Sequence, residues 1–472
     1  MIIKTRFAPS PTGFLHFGNI RTALFSWLFS QHHKGLFVLR IEDTDYSRSS
    51  IKYSKEIEKI LNWLNITWDE GPYYQSDKIA YYQSIIKNMI DKKLAYKCYC
   101  SKKLLQYKKQ QKILRKETSH YDRTCRDINP NTIINKPYTV RFRNPLTGSV
   151  TFYDEIRGKI KFQNNVLDDV IIQRSDGIPT YNFCVVIDDK DTHITHIIRG
   201  EEHLNNTPYQ INILKSMKLN IPKYAHLSMI IDKDGKKISK RNNNFSILHY
   251  YKQGFLPEAI LNYVVRLGWS HGDKEIFSIQ EMKDLFSISK INKSSSIFQL
   301  DKLLWMNKYY INSTSNKVIK RYFQFYLDQK GFKIHNKKIL NNIIELLKPR
   351  CNTIQQMVTL SSYFFQKIEF KTIKHYKEIK SKKPIKILQI ITKNLCSLKI
   401  WSCKNIVLSI KKSSIRENYP IKNIYMLLRI ILTGKNHSPN ISSIIEIFGK
   451  KITILKILTT INNIKKIKIN KY

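Results

Sequence analysis

The sequence predicts an α/β protein: a parallel sheet covered by helices, interrupted by an α+β insertion and followed by an all-helical region. Three observations predict it. Strand, loop and helix signals alternate over the first 94 residues, the sheet pattern returns near residue 185, and only helical periodicity remains beyond about residue 310. At 472 residues the chain is too long for one core. Hydrophobic residues make up 42% of it, which supports packed domains and argues against general disorder.

The elements follow in order. Ile2 to Phe7 is a short strand candidate. After Gly18, the residues Ile20, Ala23, Leu24, Trp27 and Leu28 fall on one helical face. Leu36 to Ile41 is a nearly continuous apolar run, as a buried parallel strand requires. Ile57, Ile60, Leu61 and Leu64 mark a second amphipathic helix. Such alternation places a ligand beyond the strand C-termini, where His16 and Glu42 lie. From Ala95 to Asp176 short alternating runs (Tyr138 to Phe142, Ser149 to Phe152) indicate the insertion. Val185 to Asp188 and Ile194 to Arg199 bring the sheet pattern back. Beyond Leu248 the pattern is helical, with Pro257 opening one helix and Gly268 closing it. Lys377 to Pro384 is the best linker candidate, and no internal repeat is present. The expected boundaries are 1–94 and 185–232 for the two halves of the sheet domain, 95–184 for the insertion, and 233–310 for a connecting segment. Two helical subdomains, 311–378 and 379–472, complete the chain.

Lys and Arg number 81 against 36 Asp and Glu, a net charge of +45. That surplus favours a polyanionic partner such as nucleic acid. The abundance of Ile, Lys and Asn throughout also fits drift in an AT-rich genome, so charge alone does not decide the partner. The N-terminus lacks the apolar core of a secretory signal, and the greasiest stretch, Ile424 to Leu432, is broken by Arg429 and far too short for a membrane span. Seven scattered cysteines do not form a disulfide framework, which fits a reducing cytoplasm.

Two distant segments carry chemistry. Phe7 to Asn19, FAPSPTGFLHFGN, is a Pro/Gly loop with a histidine that runs straight into a helix. Free backbone N–H groups and the helix dipole make such a junction a phosphate site. Lys237-Ile238-Ser239-Lys240-Arg241 offers two ammonium groups able to screen charge building on a triphosphate. Together they point to a site that splits ATP to form an adenylate.

These segments carry a family resemblance. PSPTGFLHFGN is similar to the HIGH signature of class I aminoacyl-tRNA synthetases, and KISKR to their KMSKS loop. Leu39 to Asp45 (LRIEDTD) narrows the resemblance to the glutamyl branch. Thr180 to Phe183, Ile198 to His203, Tyr263 to Trp269 and Lys302 to Asn307 extend it, so that the chain resembles the bacterial glutamyl-tRNA synthetases. The likeness is close over about the first 310 residues and looser beyond. Asn19 stands where the signature often ends in His, and Asn242-Asn243-Asn244 replaces the usual continuation after the lysines.

The resemblance implies a class I Rossmann-type catalytic domain, an acceptor-end insertion and a helical anticodon-binding region, acting as a monomer. It implies L-glutamate, ATP with Mg²⁺, and tRNA(Glu) as partners, with activation dependent on bound tRNA. His16, Lys237 and Lys240 would be catalytic, and Thr12, Gly18, Asn19 and Ser239 would join them around ATP. Arg6, Ala8, Ser10, Glu42, Tyr181 and Arg199 would hold glutamate, with Arg199 on its side-chain carboxylate and Glu42 on its ammonium. Cys98, Cys100, Cys125 and Asp127 would hold a structural Zn²⁺, with His120 as a substitute ligand. Arg350 would read the anticodon, as in enzymes that charge glutamate tRNA but not glutamine tRNA. Rival readings are a non-discriminating enzyme, a truncated paralogue that modifies tRNA, a catalytically dead RNA-binding protein and a glutaminyl enzyme. Arg350 argues against the first, the presence of the C-terminal third against the second, intact His16, Glu42, Arg199, Lys237 and Lys240 against the third, and the helical distal region against the last.

Overall fold

The computed structural model describes residues 2–45, 49–116, 120–128, 135–237, 245–334, 338–366 and 382–469. It divides into two compact units, Met1–Tyr251 with Pro257–Met306, and Lys252–Leu256 with Asn307–Tyr472.

The first unit begins β1 (Lys4–Phe7), α1 (Phe17–His32), β2 (Leu36–Ile41), α2 (Ile51–Trp63), β3 (Glu70–Tyr74) and α3 (Ile79–Asp91). Next come β4 (Ala95–Cys98), α4 (Lys102–Leu114), β5 (Thr139–Phe142), β6 (Ser149–Asp154), β7 (Gly158–Gln163) and β8 (Ile171–Gln173). Then follow α5 (Tyr181–Asp191), β9 (His196–Gly200), α6 (Thr207–Ser216), β10 (Lys223–Leu227), β11 (Ile230–Ile231), α7 (Ile247–Lys252), α8 (Pro257–Arg266), α9 (Ile279–Leu285), β12 (Ser296–Ile297) and α10 (Leu300–Ser313), whose residues from Asn307 on belong to the second unit.

β1, β2 and β3 form a parallel sheet in that order. A second sheet runs β7-β6-β10-β9, parallel except at the β6–β7 hairpin. The two meet where β1 lies beside β9: the Thr195 amide donates to the Lys4 carbonyl at 2.9 Å, and the Lys4 amide to Thr195 Oγ1 at 2.8 Å. Farther along the same seam Arg6 Nη1 reaches the Ile198 carbonyl at 3.5 Å. The steps advance together, so β1, β2, β9 and β10 all end at one edge, the place where open α/β sheets bind ligands. α1 supports that edge from below through buried Phe17, Ile20, Leu24 and Leu28.

Two expectations change here. Val185 to Asp188 is not a strand but the middle of α5, with Phe183 to Asp189 all buried. A short run buried on every side carries no period, so helix and strand look alike in sequence. Within the span expected for the insertion, only β4, β5 and β8 form a separate antiparallel sheet. β6 instead pairs with β10, and so belongs to the second sheet. Hairpin alternation at Ser149 to Phe152 showed a strand but not its neighbour.

The second unit is helical among its described residues: α11 (Asn316–Gln329), α12 (Ile339–Leu347), α13 (Ile354–Ser361), α14 (Lys382–Cys396), α15 (Cys403–Arg416), α16 (Ile421–Thr433) and α17 (Ile441–Ile469), the last with non-helical backbone at Gly449. Leu388, Ile391, Ile406, Ile410, Leu428 and Ile445 share a core that joins α14 to α17. Of the expected linker, residues 377–381 lie outside the described residues, and Lys382 to Pro384 open α14. No described helix is long and apolar enough to cross a membrane.

The β1–β2 pairing depends on close backbone approach at Gly35, the residue before β2. A Cβ there would lie 2.1 Å from the Ile3 carbonyl oxygen. Gly35→Ala is expected to cost about 1–3 kcal/mol through overpacking, measured as a lower midpoint in thermal or urea unfolding.

Candidate active site

A cavity of about 460 Å³ opens at the shared C-terminal edge of β1, β2, β9 and β10, a size suited to small ligands. A larger one, about 940 Å³, lies at the opposite edge among Lys4, Leu36, His196 and Lys223, and holds none of the expected residues. The first cavity gathers Arg6, Ala8, Ser10, Glu42, Tyr181 and Arg199 with Thr12, His16, Gly18, Asn19 and Lys237. Residues from five separate stretches of sequence therefore share one wall. Lys240 and Ser239 lie outside the described residues.

His16 is the N-cap of α1. Its Nδ1 accepts the Gly18 amide at 3.1 Å, while Asn19 Oδ1 accepts the His16 amide at 3.1 Å, a reciprocal capping box. An acceptor Nδ1 on a neutral imidazole puts the proton on Nε2, so the ring presents a donor from that atom. A Cβ on Gly18 would stand 2.9 Å from His16 Cε1, so glycine leaves room for the ring itself. The segment after the lysine pair comes to the same place: Ser246 forms a β-bridge with His16, and the Ile247 amide donates to Leu15 at 2.9 Å. Lys237 Nζ stands 4.0 Å from the Glu202 carboxylate.

Buried charge organises the opposite end. The β1–β2 register pairs Arg6 with Val38, so Arg6 and Arg40 project from the same face. Asp189, on α5, accepts from Arg40 Nη1 at 2.7 Å and from Arg6 Nε at 3.3 Å. Arg40 Nη2 donates to Glu42 at 3.2 Å. Burial alone would raise both carboxyl pKa values. At Asp189 the two arginines outweigh it and hold the pKa below the usual range; at Glu42 burial wins over Arg40 and Arg6 and pushes it up.

Arg199, 3% exposed, donates from Nε to His226 Nε2 at 3.2 Å and from Nη2 to Thr207 Oγ1 at 2.9 Å. Its Nη1 is buried without a hydrogen-bond partner among the described residues, and Arg199 lines the cavity. Tyr181 lies 3.2 Å from His203 Nδ1, which also faces the Asn206 amide nitrogen at 3.3 Å. An amide nitrogen only donates, so Nδ1 accepts and the Tyr181 hydroxyl donates, keeping its oxygen lone pairs. Burial, helped by Arg199, holds the His203 pKa down at about 4. Arg21 on α1 ties the cavity floor together, donating to the Leu267 carbonyl at 3.1 Å and to the Ser228 carbonyl. Burial pushes its pKa down to about 10 against the pull of Glu202 and Glu201.

Arg40, Asp189, Arg21, His203 and His226 were not singled out in the sequence. One signal was available: Arg40 and His226 interrupt the apolar strands LFVLRI and KYAHL, where a charged or polar group needs a partner.

In the insertion the sulfurs of Cys98, Cys100 and Cys125 lie within 4.8 Å of one another. Asp127 does not join them: its side chain is 87% exposed and pairs with Arg143 Nη1 at 3.1 Å. His120 faces Asp168 at 3.4 Å. The Tyr121 hydroxyl lies 3.2 Å from Cys98 Sγ and 3.7 Å from Cys100 Sγ. Burial and the neighbouring thiols push Cys100 up to about 11. Arg350 is exposed in the turn Lys348–Arg350 of the second unit.

Residues 2–305 match the family model of class I tRNA synthetases (E and Q), catalytic domain, and residues 316–461 match the anticodon binding domain. A glutamate–tRNA ligase of Buchnera aphidicola subsp. Acyrthosiphon pisum is 48% identical over 98% of this chain and 100% of its own. The chain belongs to the class I glutamate–tRNA ligase family. A second such ligase, from Buchnera aphidicola subsp. Baizongia pistaciae, is 48% identical over 98% of this chain and 99% of its own. A crystal structure of a glutamate tRNA ligase from Elizabethkingia meningosepticum, in complex with its amino acid, superposes with a TM-score of 0.82 at 30% identity, covering 98% of this chain and 99% of that one. A glutamate-tRNA synthetase structure from Elizabethkingia anophelis gives 0.80 at 31% identity, over 98% of this chain and 100% of that one. The family thus accounts for both units of the chain and for the parallel-sheet catalytic architecture.

Gly18→Ala separates the two jobs of α1's first turn. Alanine favours the helix but crowds the His16 ring, so aminoacylation is expected to fall about 10- to 100-fold. An unchanged or raised thermal midpoint alongside that loss would place the effect on His16.

Proposed function

We infer that the chain attaches L-glutamate to tRNA(Glu) through a glutamyl adenylate formed in the cavity at the sheet edge. The observation that carries the residue assignment is the buried, unpartnered Nη1 of Arg199 in a wall that also holds Arg6 and Glu42. A guanidinium nitrogen without a partner is costly unless an anion meets it, and the side-chain carboxylate of glutamate does so. Glutamine presents an amide that does not match the charge. Glu42 accepts the ammonium, helped by the lone pairs of Tyr181, and Arg6 faces the α-carboxylate. Ala8 and Ser10 complete this end of the wall.

ATP enters as its Mg²⁺ complex and lies along Thr12, His16, Gly18 and Asn19, at the N-terminus of α1. A glutamate α-carboxylate oxygen attacks the α-phosphorus, the bond to the β-phosphate oxygen breaks, and pyrophosphate leaves. His16 donates from Nε2 to a phosphate oxygen as charge builds, and Lys237 and Lys240 screen it, with Ser239 holding their loop. The 2′- or 3′-hydroxyl of the terminal adenosine then attacks the carbonyl carbon and AMP leaves. Positioning and charge stabilisation suffice, so no protein nucleophile is needed.

Arg350 supports discrimination: an exposed guanidinium stacks on or hydrogen-bonds an unstacked anticodon base. The insertion fits Zn²⁺ through three convergent thiols, with the Tyr121 oxygen in place of Asp127 as fourth donor. Such an ion would brace the insertion and take no part in the chemistry. Seven free cysteines and the absence of a described membrane-crossing helix support a reducing cytoplasm, and the family reading supports a monomer.

Charging assays with labelled glutamate and separate tRNA(Glu) and tRNA(Gln) test this reading. Charging of tRNA(Glu) alone is expected. Charging of both would remove the role of Arg350, and charging of neither with RNA binding intact would remove the enzyme. Lys240→Ala is expected to lower adenylate formation by roughly 100-fold or more while tRNA binding stays within about twofold. For the metal, elemental analysis should find about one zinc per chain, lost in Cys100→Ser and kept in Asp127→Ala.

A further inference from the structure

Arg199 does not stand alone. In the parallel register of β9 and β10 it sits directly opposite His226, and two residues earlier Tyr224 sits opposite Asp154 of β6. Side chains two apart on a strand share a face, so Asp154, His226 and Arg199 cross three neighbouring strands in a row. The His226 and Asp154 side chains are fully buried, and His226 Nδ1 lies 2.6 Å from Asp154 Oδ2.

Hydrogen-bond capacity fixes the protons in this row. Arg199 Nε can only donate, so His226 Nε2, 3.2 Å away, must be the bare acceptor. The ring proton is then on Nδ1 and goes to Asp154. Asp154 is filled to match: Oδ1 accepts the Ile156 and Arg157 amides at 3.0 and 2.9 Å, and Oδ2 accepts the His226 amide at 3.1 Å as well as its ring. Burial would raise the Asp154 pKa, but these donors win and lower it, so it remains an anion. Burial, partly opposed by Asp154, lowers the His226 pKa, which keeps the ring neutral. Thr207 Oγ1 takes Nη2 of Arg199, leaving Nη1 over.

We propose that Asp154 and His226 are positioning residues for glutamate recognition, holding the Arg199 guanidinium in the rotation that leaves Nη1 for the substrate's side-chain carboxylate. The inference rests on Arg199 being that carboxylate's partner. The insertion-side strand β6 thereby acts on amino-acid selection without touching the amino acid. Asp154→Asn keeps the shape but puts an NH₂ among donors, which favours the other histidine tautomer and turns Nε2–H against Nε–H of Arg199.

The test measures aminoacylation with tRNA(Glu) for the full chain, recording KM for glutamate, KM for ATP and kcat. Asp154→Asn and His226→Leu are expected to raise KM for glutamate about tenfold or more, the scale of a lost hydrogen bond to a charged group, with KM for ATP unchanged. His226→Gln, whose amide both accepts and donates, should recover most of the loss. Arg199→Ala is the reference. If it raises KM for glutamate while His226→Leu does not, the positioning role falls and the Arg199 assignment stands. If Arg199→Ala leaves KM for glutamate unchanged, the assignment itself falls. Equal losses in both KM values and kcat would overturn the proposal in favour of a purely structural role. Nitrogen-15 NMR of the unmutated protein gives an answer free of folding defects: His226 should show a protonated Nδ1 and a bare Nε2, and the opposite tautomer or an imidazolium would overturn the proposal.

Discussion

Everything at the sheet edge depends on burying Arg6, Arg40, Asp189 and Glu42 together. Each charge alone would be expensive away from water, and removing one partner strands the others. Asp189 joins β1 to β2 through the two arginines, and α5 is the element that delivers it. The charged cluster thus pins α5 onto the face of the β1–β2 pair. The same network supplies Arg6 and Glu42 to the cavity wall.

A second constraint acts at the other end of the cavity. His16 uses one ring nitrogen to cap α1, and that structural bond decides which nitrogen carries the proton. Arg199 follows the same logic, with two nitrogens spent on His226 and Thr207 and one left over. In both cases the structural bonds fix which donors the side chain has to offer. Rigid supporting shells of this kind give active sites their precision.

Much of the fold was legible from residue pattern. Leu36 to Ile41 is a strand at the expected limits, and the Pro257 and Gly268 punctuation brackets α8 as expected. The misread segment, Val185 to Asp188, is one where burial on all sides erased the period. β6 was visible as a strand at Ser149, but its partner β10 lies some 70 residues away, and alternation carries no information about which strand will be the neighbour. For the metal cluster, Cys98, Cys100 and Cys125 meet, but spacing alone could not show Asp127 turning to Arg143 while Tyr121 turns inward.

The sequence by itself determined the chemistry on offer: a Pro/Gly loop with a histidine leading into a helix, a lysine pair, arginines suited to carboxylates and three cysteines. These depend on residue type and local spacing, which a linear chain states directly. Only the tertiary structure decided which groups remain available, because that depends on long-range pairing. Asp154 lies 72 positions from His226, and His226 lies 27 from Arg199, yet sheet register brings the three into one hydrogen-bonded row. Hydrogen-bond valence inside a buried site is a property of the assembled neighbours, and no stretch of sequence holds them all.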